Sequence, residues 1–426
     1  MKGGRKPARI LMVTDSYPPL IGGATRDTQL LSRELVRRGY VVDVATVGQP
    51  GLPAREDDEG VHVHRLEGLT ARLSSDPHRR HHPPLPDPST VWAFRRLIEA
   101  VRPDIVHSYG WMTYSCAAAL LRNDTPLLVS VRDYSNICAI RTLVQQRPDG
   151  ERICDGPALG KCLACAGRYY DSAPKTVASV GGVFSGQALL RRRVQGVHYI
   201  SAYVRDVTRR DLLAGHTFAP PLVERVIPGF RDDLEDSAPD EAVLDRLPAA
   251  PFILFVGALR LIKGLGPLMD AYGRLESPPP LVLMGPVTPD TPKDYPSGVT
   301  IMHSVPHATV MAAWERALFG VAPSLLPEPF GNVVHEGMSK GKAMIGTAPS
   351  GMTDMIADGE TGLLVPPGDA TALAGALGRL VGDAGLRERL GQAACERARL
   401  FTAEAVMPRF EELYRELVTA SDGARW

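Results

Sequence analysis

RILMVT at residues 9–14, TRDTQLLSRELVRR at 25–38 and YVVDVATV at 40–47 decide the fold class of this chain. The outer two are short apolar runs. The middle one sets Leu30, Leu31, Leu35 and Val36 on one side and charges on the others, the 3.6-residue period of a helix. Gly39 follows its last residue, where a glycine stops a helix in the left-handed conformation. Strand, helix, strand, with strands apolar throughout, describes parallel strands covered on both faces. The expected fold class is α/β.

The rhythm continues in both directions from there. Strands are expected at 61–66, 104–108, 126–131 and 197–200, and helices at 89–101, where Ser89 is the expected cap, and at 111–122, 174–193 and 202–214. Two segments interrupt it: 74–88, with five prolines, reads as an exposed loop, and 133–172, with little periodicity, reads as an insertion. The acidic, proline-bearing stretch 228–250 reads as a linker. A second series begins at 252, with strands at 252–257, 281–285, 299–303, 318–323 and 342–347. Its helices are expected at 265–275, 309–316, 331–340, 369–382, 384–399 and 403–419. The architecture is therefore two Rossmann-like lobes, 1–227 and 251–402, with a last helix at 403–426 returning to the first lobe. Open α/β sheets bind ligands beyond the carboxyl ends of their strands, so a central cleft between the lobes is the expected site.

A chain of 426 residues suits two such lobes, and 44% apolar with 23% charged residues is an ordinary globular balance. Lysine plus arginine equals aspartate plus glutamate at 48 each, so no global field selects nucleic acid, and any anion site has to be local. No apolar run approaches the length of a membrane span, and the basic N-terminus followed by Ile10–Val13 reads as a first strand rather than a signal peptide. The expectation is a cytoplasmic enzyme in a reducing compartment.

The stretch richest in chemistry is PSLLPEPFGNVVHEG at 323–337. Glu328 lies in a loop after a strand, and Gly331 opens a helix whose first amides, at Gly331, Asn332 and Val333, lack helical partners and carry the positive end of its dipole. Such a turn is an anion site, and glycine permits close approach. Glu336, one to two turns in, could accept from a ribose diol, and Glu328 from sugar hydroxyls. Either glutamate alone reads more simply as a surface carboxylate; the ordered string carries the argument.

Glu328-Pro-Phe-Gly-Asn-Val-Val-His-Glu336 resembles the E-x7-E motif of retaining glycosyltransferases with the two-lobed GT-B fold, family 4 in particular. FVGALRLIKG at 255–264 is similar to the family's strand-loop with its diphosphate-binding lysine, here Lys263; 341–369 to its strand, small-residue turn and GLLVPPGD close; and 16–25 to its glycine-rich loop. The resemblance implies a transferase moving a sugar from a nucleotide-diphosphate sugar to an acceptor hydroxyl with retention. Lys263 and the helix start would hold the leaving diphosphate, Glu328 the donor sugar and Glu336 the ribose, while Gly22 and Gly23 would border the phosphate from the acceptor-side lobe. It implies no catalytic metal. The acceptor stays open among lipid, saccharide and small natural product. Two departures stand out. Members often carry arginine where this chain has Ala258, with Arg260 two residues on as the candidate replacement. Members also often carry a histidine after the 126–131 strand, where this chain has Arg132 and Asp133. His107, at another strand end, either lines the cleft or packs. The rival reading is a non-catalytic, degenerate transferase that binds a partner through its cysteine-rich insertion.

That insertion holds Cys138, Cys154, Cys162 and Cys165, the last two at knuckle spacing. With almost no apolar core expected around them, a structural zinc is the leading reading, since a metal would supply the missing folding energy; two disulfides, an iron–sulfur cluster and unrelated thiols are the rivals. Arg191–Arg193 could give peripheral membrane contact with lipid phosphates, though a solvated helix end is the simpler reading.

Overall fold

The computed structural model of the chain describes residues 9–20, 23–69, 82–218, 221–231, 238–303 and 305–423. It divides into two compact units: Met1–Pro228 together with Val406–Trp426, and Gly229–Ala405.

The first unit is built on strands β1 (Arg9–Thr14), β2 (Val41–Val47), β3 (Arg55–Asp58), β4 (Val61–Leu66), β5 (Ile105–Tyr109), β6 (Leu127–Val131), β9 (Gly196–Tyr199) and β10 (Val223–Val226). Their order is β10-β9-β6-β5-β1-β2-β4-β3, parallel except for β3, which runs antiparallel to β4. β1, β5 and β6 are buried almost throughout, as apolar strands covered on both faces must be. Helix α1 (Gly23–Arg37) buries Leu31 and Leu35 and stops at Gly39, whose φ is 84°. Helix α2 (Pro88–Val101) is capped by Asp87, not by the expected Ser89: Asp87 accepts the Thr90 amide at 2.9 Å, while the Ser89 hydroxyl accepts from Leu69 N at 2.7 Å. Most of the proline-rich loop, including His78 and His81, lies outside the described residues.

The 133–172 segment has more structure than its sequence announces. A hairpin of β7 (Val144–Arg147) and β8 (Gly150–Ile153) follows helix α3 (Met112–Ala119) and β6 in the chain. Helix α4 (Leu159–Tyr170) comes next and packs on helix α5 (Ala173–Arg193). Ala139, Ile140, Ala166, Val180 and Val183 form a small core there.

The last helix, Ala403–Gly423, brings Phe410, Tyr414 and Leu417 into the core of the first unit, and it approaches β9 so closely that a side chain at Gly196 would meet Leu417 at 2.7 Å. Tyr414 ends a buried polar chain. His198 Nε2 donates to Ile227 O (2.7 Å), so with a neutral ring its Nδ1 accepts from Ser130 Oγ (2.6 Å). Ser130 then accepts from His107 Nε2 (2.5 Å), whose Nδ1 accepts from the Tyr414 hydroxyl (2.8 Å). Burial, and next the charge of Arg132, hold His107 well below its ordinary pKa and bring His198 down to about 3. In the unfolded chain both rings take up protons below about pH 6.5, and in the fold they do not. This contribution to stability is therefore present above that pH and is lost as pH falls, by about 2 kcal/mol at pH 5 for His198, with His107 acting in the same direction. Thermal melts between pH 7.5 and 5 are expected to show this loss, and a melting temperature that stays level across that range would contradict the arrangement.

The second unit carries six parallel strands, β11 (Phe252–Val256), β12 (Leu281–Met284), β13 (Val299–Met302), β14 (Ala317–Val321), β15 (Met344–Thr347) and β16 (Gly362–Val365), in the order β13-β12-β11-β14-β15-β16. One continuous core of Ile253, Phe255, Leu268, Phe319, Ile345, Leu363 and Leu377 runs beneath helices α8 (Leu265–Gly273), α11 (Ala370–Gly382) and α12 (Ala384–Ala398). Helix α7 (Glu241–Leu244), inside the acidic 228–250 stretch, packs on helix α9 (His307–Arg316): Arg316 Nη1 donates to Leu244 O at 3.0 Å and Asp240 N to Thr309 Oγ1 at 2.8 Å. No helix among the described residues is long and apolar enough to cross a membrane.

Candidate active site

Two loops at the carboxyl ends of β11 and β14 meet in the second unit. The first, Gly257–Gly264, ends with Gly264 at φ 83°. A Cβ there would stand 1.9 Å from Pro323 O, so only glycine lets the two loops touch backbone to backbone. Leu325 N and Leu326 N then donate to Ile262 O at 3.0 and 3.3 Å. This docking sets Lys263 Nζ 2.6 Å from Glu328 Oε1. Both side chains are partly exposed, at 30% and 15%, so a ligand can reach the pair.

Three residues on from Glu328, Gly331 is the N-cap of helix α10 (Asn332–Ser339) at φ 92°. A Cβ at Gly331 would meet Met352 Cγ at 2.8 Å, so conformation and space both require glycine there. With no side chain, Gly331 leaves the helix start without a side-chain cap. Gly331, Asn332 and Val333 are half-buried, while Val334 and His335 behind them are buried. The turn therefore sits at the surface with its dipole end accessible. Glu336 on the same helix bonds His307 Nε2 through Oε1 at 3.2 Å. Lys263, Glu328, Gly331 and Glu336 thus stand at loops and a helix start fixed by the β11 and β14 ends. Arg260 is not brought to this group: its guanidinium pairs with Asp290 at 3.3 Å, in the loop after β12.

In the first unit, Asp133 is held by three donors, Tyr109 OH at 3.0 Å, Arg141 Nη2 at 2.8 Å and Ser135 N at 2.9 Å. Burial opposes its ionisation, yet Arg141 and the Ser135 bonds keep the carboxyl below its ordinary range. With its oxygens so engaged, Asp133 braces this corner rather than offering a base. His107 is 1% exposed with both ring nitrogens bonded. Of its two readings, lining the cleft or packing, this burial and bonding fit the second. Arg132 follows β6 at the carboxyl edge of the sheet, its Nε and Nη1 buried without a hydrogen-bond partner. Gly23 is the exposed first residue of α1, and Gly22 lies outside the described residues.

The profile of the family described as "Glycosyl transferases group 1" matches residues 250–383, and that of the "Glycosyl transferase 4-like domain" matches 22–221. D-inositol 3-phosphate glycosyltransferase from Nocardioides sp. is 26% identical over 90% of this chain and 83% of its own length. The fold is that of sucrose-phosphate synthase from Thermosynechococcus elongatus (TM-score 0.73, 22% identity, 97% of this chain and 99% of that one). It is also that of Anabaena HepE in complex with UDP and glucose (TM-score 0.66, 17% identity, 96% of this chain and 100% of that one). The chain belongs to the family 4 glycosyltransferases of the GT-B fold. Two further curated relatives, 38% and 31% identical, are matched over 12% and 47% of their own length.

Membership leaves the cysteine-rich insertion of this glycosyltransferase to be explained from its own geometry. Cys138, Cys154, Cys162 and Cys165 line one narrow cavity of about 20 Å³ and are free thiols. Among the described residues no group of three or more His, Cys, Asp or Glu is arranged to hold a metal ion, so the zinc reading is not supported. The sequence leads one to expect no core in this segment, but Cys138, Cys162 and Cys165 pack against the apolar cluster between α4 and α5, and Tyr170 OH ties α4 to Ala139 O at 2.7 Å. Burial pushes the Cys138 and Cys162 thiols up. Three site neighbours escaped the sequence reading. Asp290 and His307 belong to loops and helix starts with no motif. Asp15, which accepts the Trp111 and Met112 amides at 3.0 and 2.8 Å, had only its place at the end of β1 as a signal.

Proposed function

We propose that this enzyme transfers a glycosyl group from a nucleoside diphosphate sugar to an acceptor hydroxyl with retention of configuration. The observation that carries the reading is the Lys263–Glu328 pair, 2.6 Å apart beside the glycine-opened start of α10. The unliganded pair is self-neutralised. A diphosphate arriving at the helix start draws the Lys263 ammonium, and Glu328 is then released toward the sugar.

As the anomeric C–O bond breaks, its electron pair leaves with the diphosphate, and positive charge grows on the sugar ring. Lys263 and the dipole of α10 meet the first charge, and the Glu328 carboxylate meets the second. The resemblance supports retention, with the leaving phosphate oxygen taking the acceptor's proton as the new C–O bond forms. Glu336, at present bonded to His307, is assigned to the ribose diol. Gly331, Asn332 and Val333 are assigned to the phosphates. Arg260, paired with Asp290 at 3.3 Å, is given no part in this step. On this reading the second unit binds the donor and the first unit the acceptor, a saccharide being the leading class. The UDP complex of HepE makes uracil the first nucleobase to try.

The test is a binding screen of UDP-, GDP- and dTDP-sugars by thermal shift and calorimetry. One set is expected to bind. Glu336→Ala is expected to weaken it about tenfold to hundredfold, the value of a hydrogen bond to a charged acceptor, with the melting temperature little changed. No binding by any donor would sink the reading.

A further inference from the structure

Arg132 is the one strong feature that the donor chemistry leaves unused. It is the first residue beyond β6, at the carboxyl edge of a parallel sheet, where ligands of such folds sit. Its Nε and Nη1 are shut off from solvent and have no hydrogen-bond partner among the described residues. The contact it makes is a distant one with the Tyr109 ring, 5.8 Å from the centroid. Its charge also disfavours protonation of the buried His107 and His198.

The carboxylates on the neighbouring strand ends are already spent. Asp133 is taken by Tyr109, Ser135 and Arg141. Asp15 is taken by the Trp111 and Met112 amides, with Arg141 Nη1 at 3.8 Å. Arg141 therefore absorbs the local negative charge, and Arg132 stands beside two neutral histidines without a counter-ion. An unpaired, partly buried guanidinium is unfavourable in the empty protein, and it becomes favourable when an anion arrives to fill the planar fork.

We propose that Arg132 receives an anionic group, a phosphate or a carboxylate, carried by the acceptor. The proposal rests on the transferase reading for the word acceptor, but not for the anion site itself. The fork geometry suits two oxygens of either group once the side chain turns to present it, since Nε and Nη1 are closed to solvent in the empty protein, and the first unit is where the acceptor is assigned.

The experiment compares the full-length wild type with Arg132→Met and Arg132→Lys in three readouts. Without ligand, Arg132→Met is expected to melt at the same temperature as wild type or higher, because it removes an unpaired charge. A melt several degrees lower would mean that the guanidinium is structural and would overturn the proposal. Inorganic phosphate is expected to bind wild type saturably, at least about tenfold more weakly to Arg132→Met, and to an intermediate degree to Arg132→Lys. Equal binding by all three would overturn it.

In transfer assays with matched monosaccharide acceptors that are neutral, phosphorylated or carboxylated, Arg132→Met is expected to raise KM for one anionic class, leaving neutral acceptors and UDP affinity unchanged. The arm that responds identifies which anion the site takes. A matching loss of UDP affinity would assign the guanidinium to the donor diphosphate and overturn the proposal. A wild type that binds phosphate through Arg132 yet transfers from no nucleotide sugar would remove the transferase reading while supporting the anion site.

Discussion

Replacing Glu328 with glutamine is expected to lower glycosyl transfer by about a hundredfold to a thousandfold, the usual cost of removing one preorganised electrostatic group from a reacting centre. The side chain keeps its shape and a polar amide, so what is lost is the negative charge. In the empty protein that charge is matched by Lys263 at 2.6 Å, but both partners are partly exposed, and such pairs are worth about 0–1 kcal/mol. The fold should hardly notice the change, and the melting temperature should stay within a few degrees. Donor affinity should hold or tighten slightly, since Lys263 no longer has a competitor for the diphosphate. Turnover falling with affinity intact is the expected signature. Wild-type turnover in this variant would remove Glu328 from the reaction.

Gly264→Ala is expected to be as damaging although it removes no functional group. The residue sits at φ 83°, where a side chain costs about 1–2 kcal/mol even in open space. Here the space is closed, with the new Cβ 1.9 Å from Pro323 O and 2.6 Å from Pro323 C. The 257–264 loop must lift off the 323–331 loop, breaking the bonds from Leu325 N and Leu326 N to Ile262 O. Lys263 is then carried away from Glu328. The expected result is a loss of transfer of about a hundredfold or more, as for a missing electrostatic group, together with a melt lower by about 4 °C or more. Gly266→Ala is the control: it lies two residues on, in α8, and an added Cβ there meets nothing within 4 Å. If Gly264→Ala behaved like the control, the two loops would not depend on each other as described.

Much of this was legible in the sequence because burial leaves a compositional mark. β1, β6 and β11 are mostly apolar runs since both faces are covered, and α1 shows its buried side through Leu31 and Leu35. β3 was not legible, because REDD is a charged edge strand with no apolar pattern, held to β4 by the backbone ladder and by ion pairs such as Arg65–Glu56 at 2.6 Å. The β7–β8 hairpin and α4 were hidden for a similar reason: their small core is shared with Val180 and Val183, about forty residues beyond Ala139 and Ile140, so no local period reveals it.

The site divides along the same line. The spacing from Glu328 to Glu336 and the glycine at 331 mark a loop entering a helix, and both are local signals. That Lys263 meets Glu328 across 65 residues depends on Gly264 fitting under Pro323, which spacing does not encode. His107 and Asp133 were drawn toward the chemistry by their places at strand ends. Their partners, Tyr414 in the last helix and Arg141 in the insertion, hold them as structure instead.

The most direct test of the central claim is a crystal structure of the protein soaked with a nucleoside diphosphate, UDP first. The diphosphate should lie within hydrogen-bond reach of the backbone at 331–333, with Lys263 Nζ turned from Glu328 onto a phosphate oxygen and Glu336 on the ribose. A nucleotide bound elsewhere, with the lysine–glutamate pair still closed, would contradict the account.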